Sequence, residues 1–173
     1  MIDWFFGAPR RAWALICLAC IAMLAFGMYL QHVVGLNPCP MCVVQRYALM
    51  LVGVFAAFAA MSKGRGMRGA WSALGIVVAA GGAFTAARQS WLQWYPPEFV
   101  SCGRDIYGMV EQLPFSRALP MIFRGSGDCS AIDWTLFGLT LANWSFIAFA
   151  VLIVVMLALL ARRGRSSVHL AAA

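Results

Sequence analysis

Residues 12–30 read AWALICLACIAMLAFGMYL, without one charged side chain. Crossing the hydrocarbon core of a bilayer takes about 20 helical residues. In lipid the backbone must satisfy its own hydrogen bonds, so such a run is helical and spans. Three more runs follow at residues 43–61, 70–87 and 139–161, the first of them interrupted only by Gln45 and Arg46 near its start. The predicted fold is an all-α membrane protein, a four-transmembrane-helix bundle forming a single membrane domain over residues 1–173. Composition agrees, at 63% hydrophobic and 11% charged. Soluble domains are about half apolar and a quarter charged, and disorder requires low hydrophobicity with high charge. The first run exceeds the apolar stretch of a signal peptide, and no convincing cleavage site follows it, so it reads as a retained span.

Net charge is +7. Its placement speaks for membrane topology rather than nucleic acid. Arg10 and Arg11 precede the first span, Lys63, Arg65 and Arg68 link the second and third, and Arg162, Arg163 and Arg165 follow the fourth. All three clusters fall on one face, which the positive-inside rule makes cytoplasmic, with both termini inside. The opposite face carries a short loop of about residues 31–42 and a long one of about 88–138. Five of the six acids (Glu98, Asp105, Glu111, Asp128, Asp133) lie in the long loop. Aromatics mark the membrane edges, with Trp13 and Trp71 on one side and Tyr29, Tyr47, Trp91, Trp94, Tyr95 and Trp144 on the other. Residues 106–123 carry apolar positions at helical spacing (Ile106, Met109, Val110, Leu113) and read as a short amphipathic surface helix. Small residues at Gly75, Ala79 and Ala83 suit close helix packing.

The six cysteines divide by topology. Cys17 and Cys20 lie inside the first span and read as small buried hydrophobes. Cys39, Cys42, Cys102 and Cys129 lie on the outer face, where disulfides persist. Four cysteines allow three connectivities; sequence proximity favours Cys39–Cys42 and Cys102–Cys129. Cys39-Pro40-Met41-Cys42 ends a polar loop and opens a helix. Pro40 suits a first turn, where no amide donor is needed. Cys42 then sits near the positive end of the helix dipole, which stabilises a thiolate. A static disulfide and half of a zinc site are the competing readings, although no second outer Cys-x-x-Cys or His pair completes a zinc site. The Cys102–Cys129 pair would enclose a loop flanked by glycines. It is either a staple, contributing about 3–4 kcal/mol on the loop-entropy model, or an exposed bond open to exchange.

Arg46 lies one turn after Cys42, about 6 Å along the axis and on the same helical side. A cation so placed costs several kcal/mol unless it snorkels or finds a partner. Its functional use would be to stabilise a Cys42 thiolate or polarise a carbonyl of a lipid-soluble acceptor. With no haem-attachment motif, flavin fingerprint or metal cluster in the sequence, a quinone from the bilayer is the economical acceptor.

Together these residues resemble the DsbB family, the quinone-dependent disulfide-generating membrane proteins of bacteria. The resemblance covers essentially the whole chain. It is carried by Gln31-His32-Val33, by Asn37-Pro38-Cys39-Pro40-Met41-Cys42-Val43-Val44-Gln45-Arg46, by Leu92-Gln93-Trp94-Tyr95-Pro96 and by Ser126-Gly127-Asp128-Cys129. It implies a multi-pass protein of the bacterial inner membrane whose partner is a periplasmic thioredoxin-fold oxidant of the DsbA type. Reduced DsbA would attack Cys102; Cys129 would be released and exchange onto Cys39; Cys42 would be freed as a thiolate beside the quinone. Arg46 would hold quinone and thiolate. Ubiquinone is the implied quinone, with menaquinone as the alternative. Some members of the family carry a His near the start of the long loop, where this chain has Arg88-Gln89-Ser90. Gln89 and Gln93 can donate hydrogen bonds to a quinone carbonyl but cannot shuttle protons. His32 reads as a structural or loop residue.

Two other classes of function stay open on the sequence. A four-helix transporter predicts several polar groups lining a path, and apart from Arg46 few are found. A membrane scaffold braced by outer-face disulfides needs neither Arg46 nor a Cys-x-x-Cys at a helix start. Vitamin-K-epoxide-reductase-like enzymes also use Cys-x-x-Cys in a four-helix bundle, but place it late in the chain.

Overall fold

A computed structural model describes residues 9–36, 38–96, 132 and 134–171, with backbone alone for residues 9 and 162–171. The stretch 106–123, expected to form a surface helix, lies outside the described residues. Four long helices follow one another: α1 (Pro9–His32), α2 (Pro40–Met61), α3 (Arg65–Trp94) and α4 (Leu141–Ala171). Each contains a segment long and apolar enough to cross a membrane, so the chain is a multi-pass membrane protein. Between α3 and α4 stands a small antiparallel hairpin, β1 (Thr135–Leu136) and β2 (Leu139–Thr140), with Thr135 opposite Thr140 and Leu136 opposite Leu139.

Helix ends follow from local chemistry. Pro40 opens α2, and Cys39, in extended backbone, is its N-cap. At the other end the Ser62 N–H and hydroxyl both bond the carbonyl of Phe58, at 3.0 and 2.7 Å. Arg68, which the sequence placed in the link between the second and third spans, is buried beneath this terminus. Its Nε donates to the carbonyl of Ala59 at 3.1 Å and a terminal nitrogen to that of Ser62 at 2.5 Å. A cation on the orphan carbonyls of a helix C-terminus satisfies them and complements the dipole.

The third span, expected to end at residue 87, continues as helix about two turns further to Trp94. The polar run Arg88-Gln89-Ser90 looked like loop, but Gln89 and Ser90 are buried inside the protein. The short loop shrinks correspondingly to residues 33–39, and residues 139–140, assigned to the fourth span, form β2. Phe137 and Gly138 both have left-handed backbone (φ 54° and 78°), the primed turn that matches the twist of a two-residue hairpin connection.

In lipid, helices associate by close packing rather than by hydrophobic exclusion, which selects small residues at interfaces. On α3 the buried stripe is Ser72, Gly75, Ala79, Gly82 and Ala86. It leaves the expected every-four repeat at Ala79, because a period of 3.6 turns Ala83 aside, half-buried, and brings Gly82 inward. Gly82 is required there: a Cβ would stand 2.5 Å from the ring of Phe149. Gly53 on α2 similarly admits Cys20 of α1, at 3.2 Å from where its Cβ would be. Large apolar side chains such as Leu18, Val54, Val77 and Val154 point outward.

The helices pack in chain order, α1 on α2, α2 on α3 and α3 on α4, whereas α1 and α4 scarcely meet. Towards the end that holds the α2–α3 link, one buried cluster spans all four helices and includes Trp13, Ile16, Met156 and Leu159. Trp13, expected at the membrane edge, is thus a core residue, 1% exposed. Trp71 is half-buried beside the rings of Phe55 and Phe58, with centroids 5.9 and 5.0 Å away. Tyr29, Tyr47, Trp91, Trp94 and Tyr95 are exposed.

Candidate active site

The loop after α1 turns through Gly35 (φ 82°) and delivers Cys39 to the start of α2. The Cys39 Sγ accepts the Cys42 backbone N–H at 3.3 Å, so a sulfur takes the place of the oxygen that usually caps a helix. The two Sγ atoms stand 2.8 Å apart. They face different surroundings. Cys39 is buried with Met41 and Leu92, while Cys42 is half-buried and its side borders a cavity.

That cavity has a volume of about 450 Å³ and lies along the seam where α1 and α4 part. Its apolar wall includes Met23 and Phe26 of α1, Leu49 of α2 and Phe149 of α4; Cys42, Gln45, Arg46 and Gln89 supply its polar side. The hairpin covers one end. The Trp134 ring meets Phe26 edge-on at 6.0 Å, and Trp144 Nε1 donates to the Leu136 carbonyl at 3.1 Å.

Arg46 reaches across to α1. One terminal nitrogen donates to the side-chain oxygen of Gln31 and the other to the carbonyl of Gly27, at 3.0 Å. No acidic residue is among the described residues, and these partners are neutral oxygens. Arg46 therefore brings a positive charge to the cavity wall, where it favours an anion or a polarised carbonyl.

Gln89 sits closer to the sulfurs than its sequence reading suggested. Its Nε2 is 3.3 Å from the Sγ of Cys39 and 3.3 Å from that of Cys42. Its Oε1 accepts from Gln45 Nε2 at 2.8 Å. Gln93 does not line the cavity; its Oε1 accepts the hydroxyl of Thr140 at 2.7 Å, and the same hydroxyl oxygen receives the Asn143 N–H at the start of α4. The fold thus brings Cys39, Cys42, Arg46 and Gln89 together and sets Gln93 apart. Cys102 and Cys129 lie outside the described residues. His32 is exposed at the end of α1, and Cys17 and Cys20 pack in the helix core.

Gln45 carried no assignment from sequence. A signal was present: a neutral amide one turn after Cys42, inside a span, needs a buried partner. Phe26, Trp134 and Trp144 gave no such signal, since aromatics at a membrane edge are ordinary.

Chemically, the arrangement supplies two sulfurs within reach of a mutual bond, donors directed at them, and an apolar chamber beside one of them. Comparison with known proteins bears on what this serves. The family model described as Disulfide bond formation protein DsbB matches residues 9–159. The chain is 62% identical over 167 residues to Disulfide bond formation protein B of Acidovorax sp. (strain JS42), covering 96% of each chain. It is 62% identical to the protein of that name from Paracidovorax citrulli, over 94% of this chain and 93% of the relative. For the Polaromonas sp. (strain JS666) protein of the same name, identity is 58% over 95% and 98%. With its Cys-x-x-Cys at a helix start in a four-span bundle, and this family match over most of its length, the chain belongs to the DsbB family of disulfide bond formation proteins.

Proposed function

We propose that this disulfide-forming oxidoreductase reoxidises a periplasmic thioredoxin-fold partner of the DsbA type and passes the two electrons to a membrane quinone, so generating disulfides de novo. The observation that carries this is the placement of Cys42: its sulfur adjoins Cys39 on one side and an apolar cavity with polar groups on the other.

The cavity suits a quinone. Ligand chambers are commonly about 300–1,000 Å³, mostly apolar, with a few converging polar groups. A flat diketone needs apolar walls for its ring and donors for its carbonyls; Met23, Leu49 and Phe149 offer the first, Arg46 and Gln45 the second. Such a group, when bound, supplies an acceptor for two electrons and two protons. The seam between α1 and α4 lies where a lipid-soluble tail would extend.

The chain's own residues perform the exchanges. A thiolate of the reduced partner attacks Cys102, forming a mixed disulfide and releasing Cys129. The partner's second thiol resolves that bond and leaves oxidised. Cys129 attacks Cys39, whose bond to Cys42 breaks, and the electron pair stays on Cys42 as a thiolate. Cys102 then attacks Cys129, re-forming the Cys102–Cys129 bond and releasing Cys39 as a thiol. The reduced Cys39–Cys42 pair gives up two electrons and two protons from the Cys42 side, which borders the cavity, and its own bond re-forms. Arg46 and the start of α2 stabilise negative charge at this sulfur. In this reading the cysteine end of the bundle is periplasmic, and the Lys63-Arg65-Arg68 end and both termini are cytoplasmic.

The test is quinone reduction by purified full-length protein supplied with reduced DsbA-type partner. Cys42→Ser and Cys102→Ser are each expected to abolish turnover, with Cys17→Ala and Cys20→Ala leaving it nearly intact. Normal turnover in Cys42→Ser would rule the mechanism out.

A further inference from the structure

Two buried glutamines stand beside the sulfurs, Gln45 at 6% exposure and Gln89 at 4%. A primary amide carries two N–H donors and an acceptor oxygen. Gln89 Oε1 receives Gln45 Nε2 at 2.8 Å, and in this paired orientation the Gln89 nitrogen stands 3.3 Å from each sulfur. Arg46, the residue that sequence reasoning assigned to the thiolate, gives one bond from each terminal nitrogen to Gln31 and Gly27 on α1. Gln89 thus places a neutral amide donor within reach of both sulfurs.

We infer that Gln89 is a catalytic hydrogen-bond donor to the Cys39–Cys42 pair, and that Gln45 is the positioning residue that holds its amide in the donating orientation, so that the pair is tuned towards its reduced, thiolate-bearing form. This deepens the proposed function and rests on it. In the exchange, the Cys129 thiolate forms a bond to Cys39, the Cys39–Cys42 bond breaks, and its electron pair remains on Cys42. The Gln89 Nε2 is already in reach of that sulfur, so charge appears opposite a donor that need not move. Donors preorganised where charge develops are the effective ones. Hydrogen bonds to charged groups exceed those to neutral ones, and a disulfide sulfur is a weak acceptor. The amide therefore stabilises the reduced pair more than the oxidised pair, which makes the pair a stronger oxidant. The Gln89 Oε1, 3.6 Å from Cys42 Sγ, can accept an S–H when that sulfur is protonated. One amide thus serves both protonation states.

The inference is tested in full-length protein carrying Cys17→Ala, Cys20→Ala, Cys102→Ser and Cys129→Ser, in which only Cys39 and Cys42 titrate. The protein is equilibrated anaerobically with glutathione, where glutathione disulfide oxidises the dithiol and yields two glutathione thiols. Oxidised and reduced protein are then trapped and counted. Gln89→Leu and the near-isosteric Gln89→Met are each expected to shift the equilibrium about tenfold towards the disulfide, a potential lower by about 30 mV for two electrons. Gln45→Leu should shift it the same way by less, and add little on top of Gln89→Leu, because it acts through Gln89. An equilibrium in Gln89→Met within twofold of the parent, or shifted towards the dithiol, overturns the inference. So does a Gln45→Leu shift that adds in full. Neither quinone nor partner is present, so this result and the quinone assay can fail independently.

Discussion

Arg46 is a full charge at the edge of an apolar segment, and its bonds run to neutral oxygens of α1. If it also serves a carbonyl in the cavity, Arg46→Ala loses a charge-assisted hydrogen bond of about 1.5–3 kcal/mol. The apparent quinone KM should then rise at least tenfold; an unchanged KM would reduce Arg46 to a tie between α1 and α2. Arg46→Lys should recover only part of the loss, since an ammonium cannot reproduce the two-pronged grip on Gln31 and Gly27. Much of the site was legible at this scale. Cys39, Cys42 and Arg46 are joined by helical spacing, which sequence shows directly. The Gln89 contact to the sulfurs was not legible, because it links residues on different helices and depends on how α3 is rotated against α2. Gln93, next along the same face, was an equally good sequence candidate and went to Thr140 instead.

For the helices, length and hydropathy revealed the number of spans but not their ends. A polar residue at a span end reads as loop unless its partner is known, and the partners of Gln89 (Gln45) and Arg68 (Ala59 and Ser62) lie on α2 and just beyond it. The hairpin was invisible, since two-residue strands carry no period. Two variants test the packing that was found. Gly82→Ala puts a Cβ 2.5 Å from the Phe149 ring, and overpacking of this kind costs about 1–3 kcal/mol. The thermal midpoint in detergent should fall, and Phe149→Leu in the same chain should restore part of it; an unshifted midpoint for Gly82→Ala would mean that the two helices do not meet there. Arg68→Leu leaves the Ala59 and Ser62 carbonyls without their buried donor, at about 1–3 kcal/mol. It should lower the midpoint while leaving the quinone KM unchanged, since Arg68 is on the far side of the bundle from Cys42.

Seen as a whole, the bundle is a row of helices folded round but not sealed. At one end the gap between α1 and α4 is filled by the cluster containing Trp13 and Met156; at the other it holds the cavity. The proposed orientation can be read with an impermeant thiol reagent on intact cells. Lys63→Cys, in a chain with its outer cysteines changed to serine, should react only after the inner membrane is broken, and labelling from outside would invert the topology. The central claim concerns Cys39 and Cys42 alone, and a single anaerobic turnover addresses it most directly. Reduced protein with Cys102→Ser and Cys129→Ser is mixed with one equivalent of ubiquinone. The account predicts that one quinone is reduced per protein molecule as the Cys39–Cys42 disulfide forms, and that none is reduced when Cys42→Ser is added. Quinone left unreduced by the intact pair, or reduced equally well without Cys42, would contradict it.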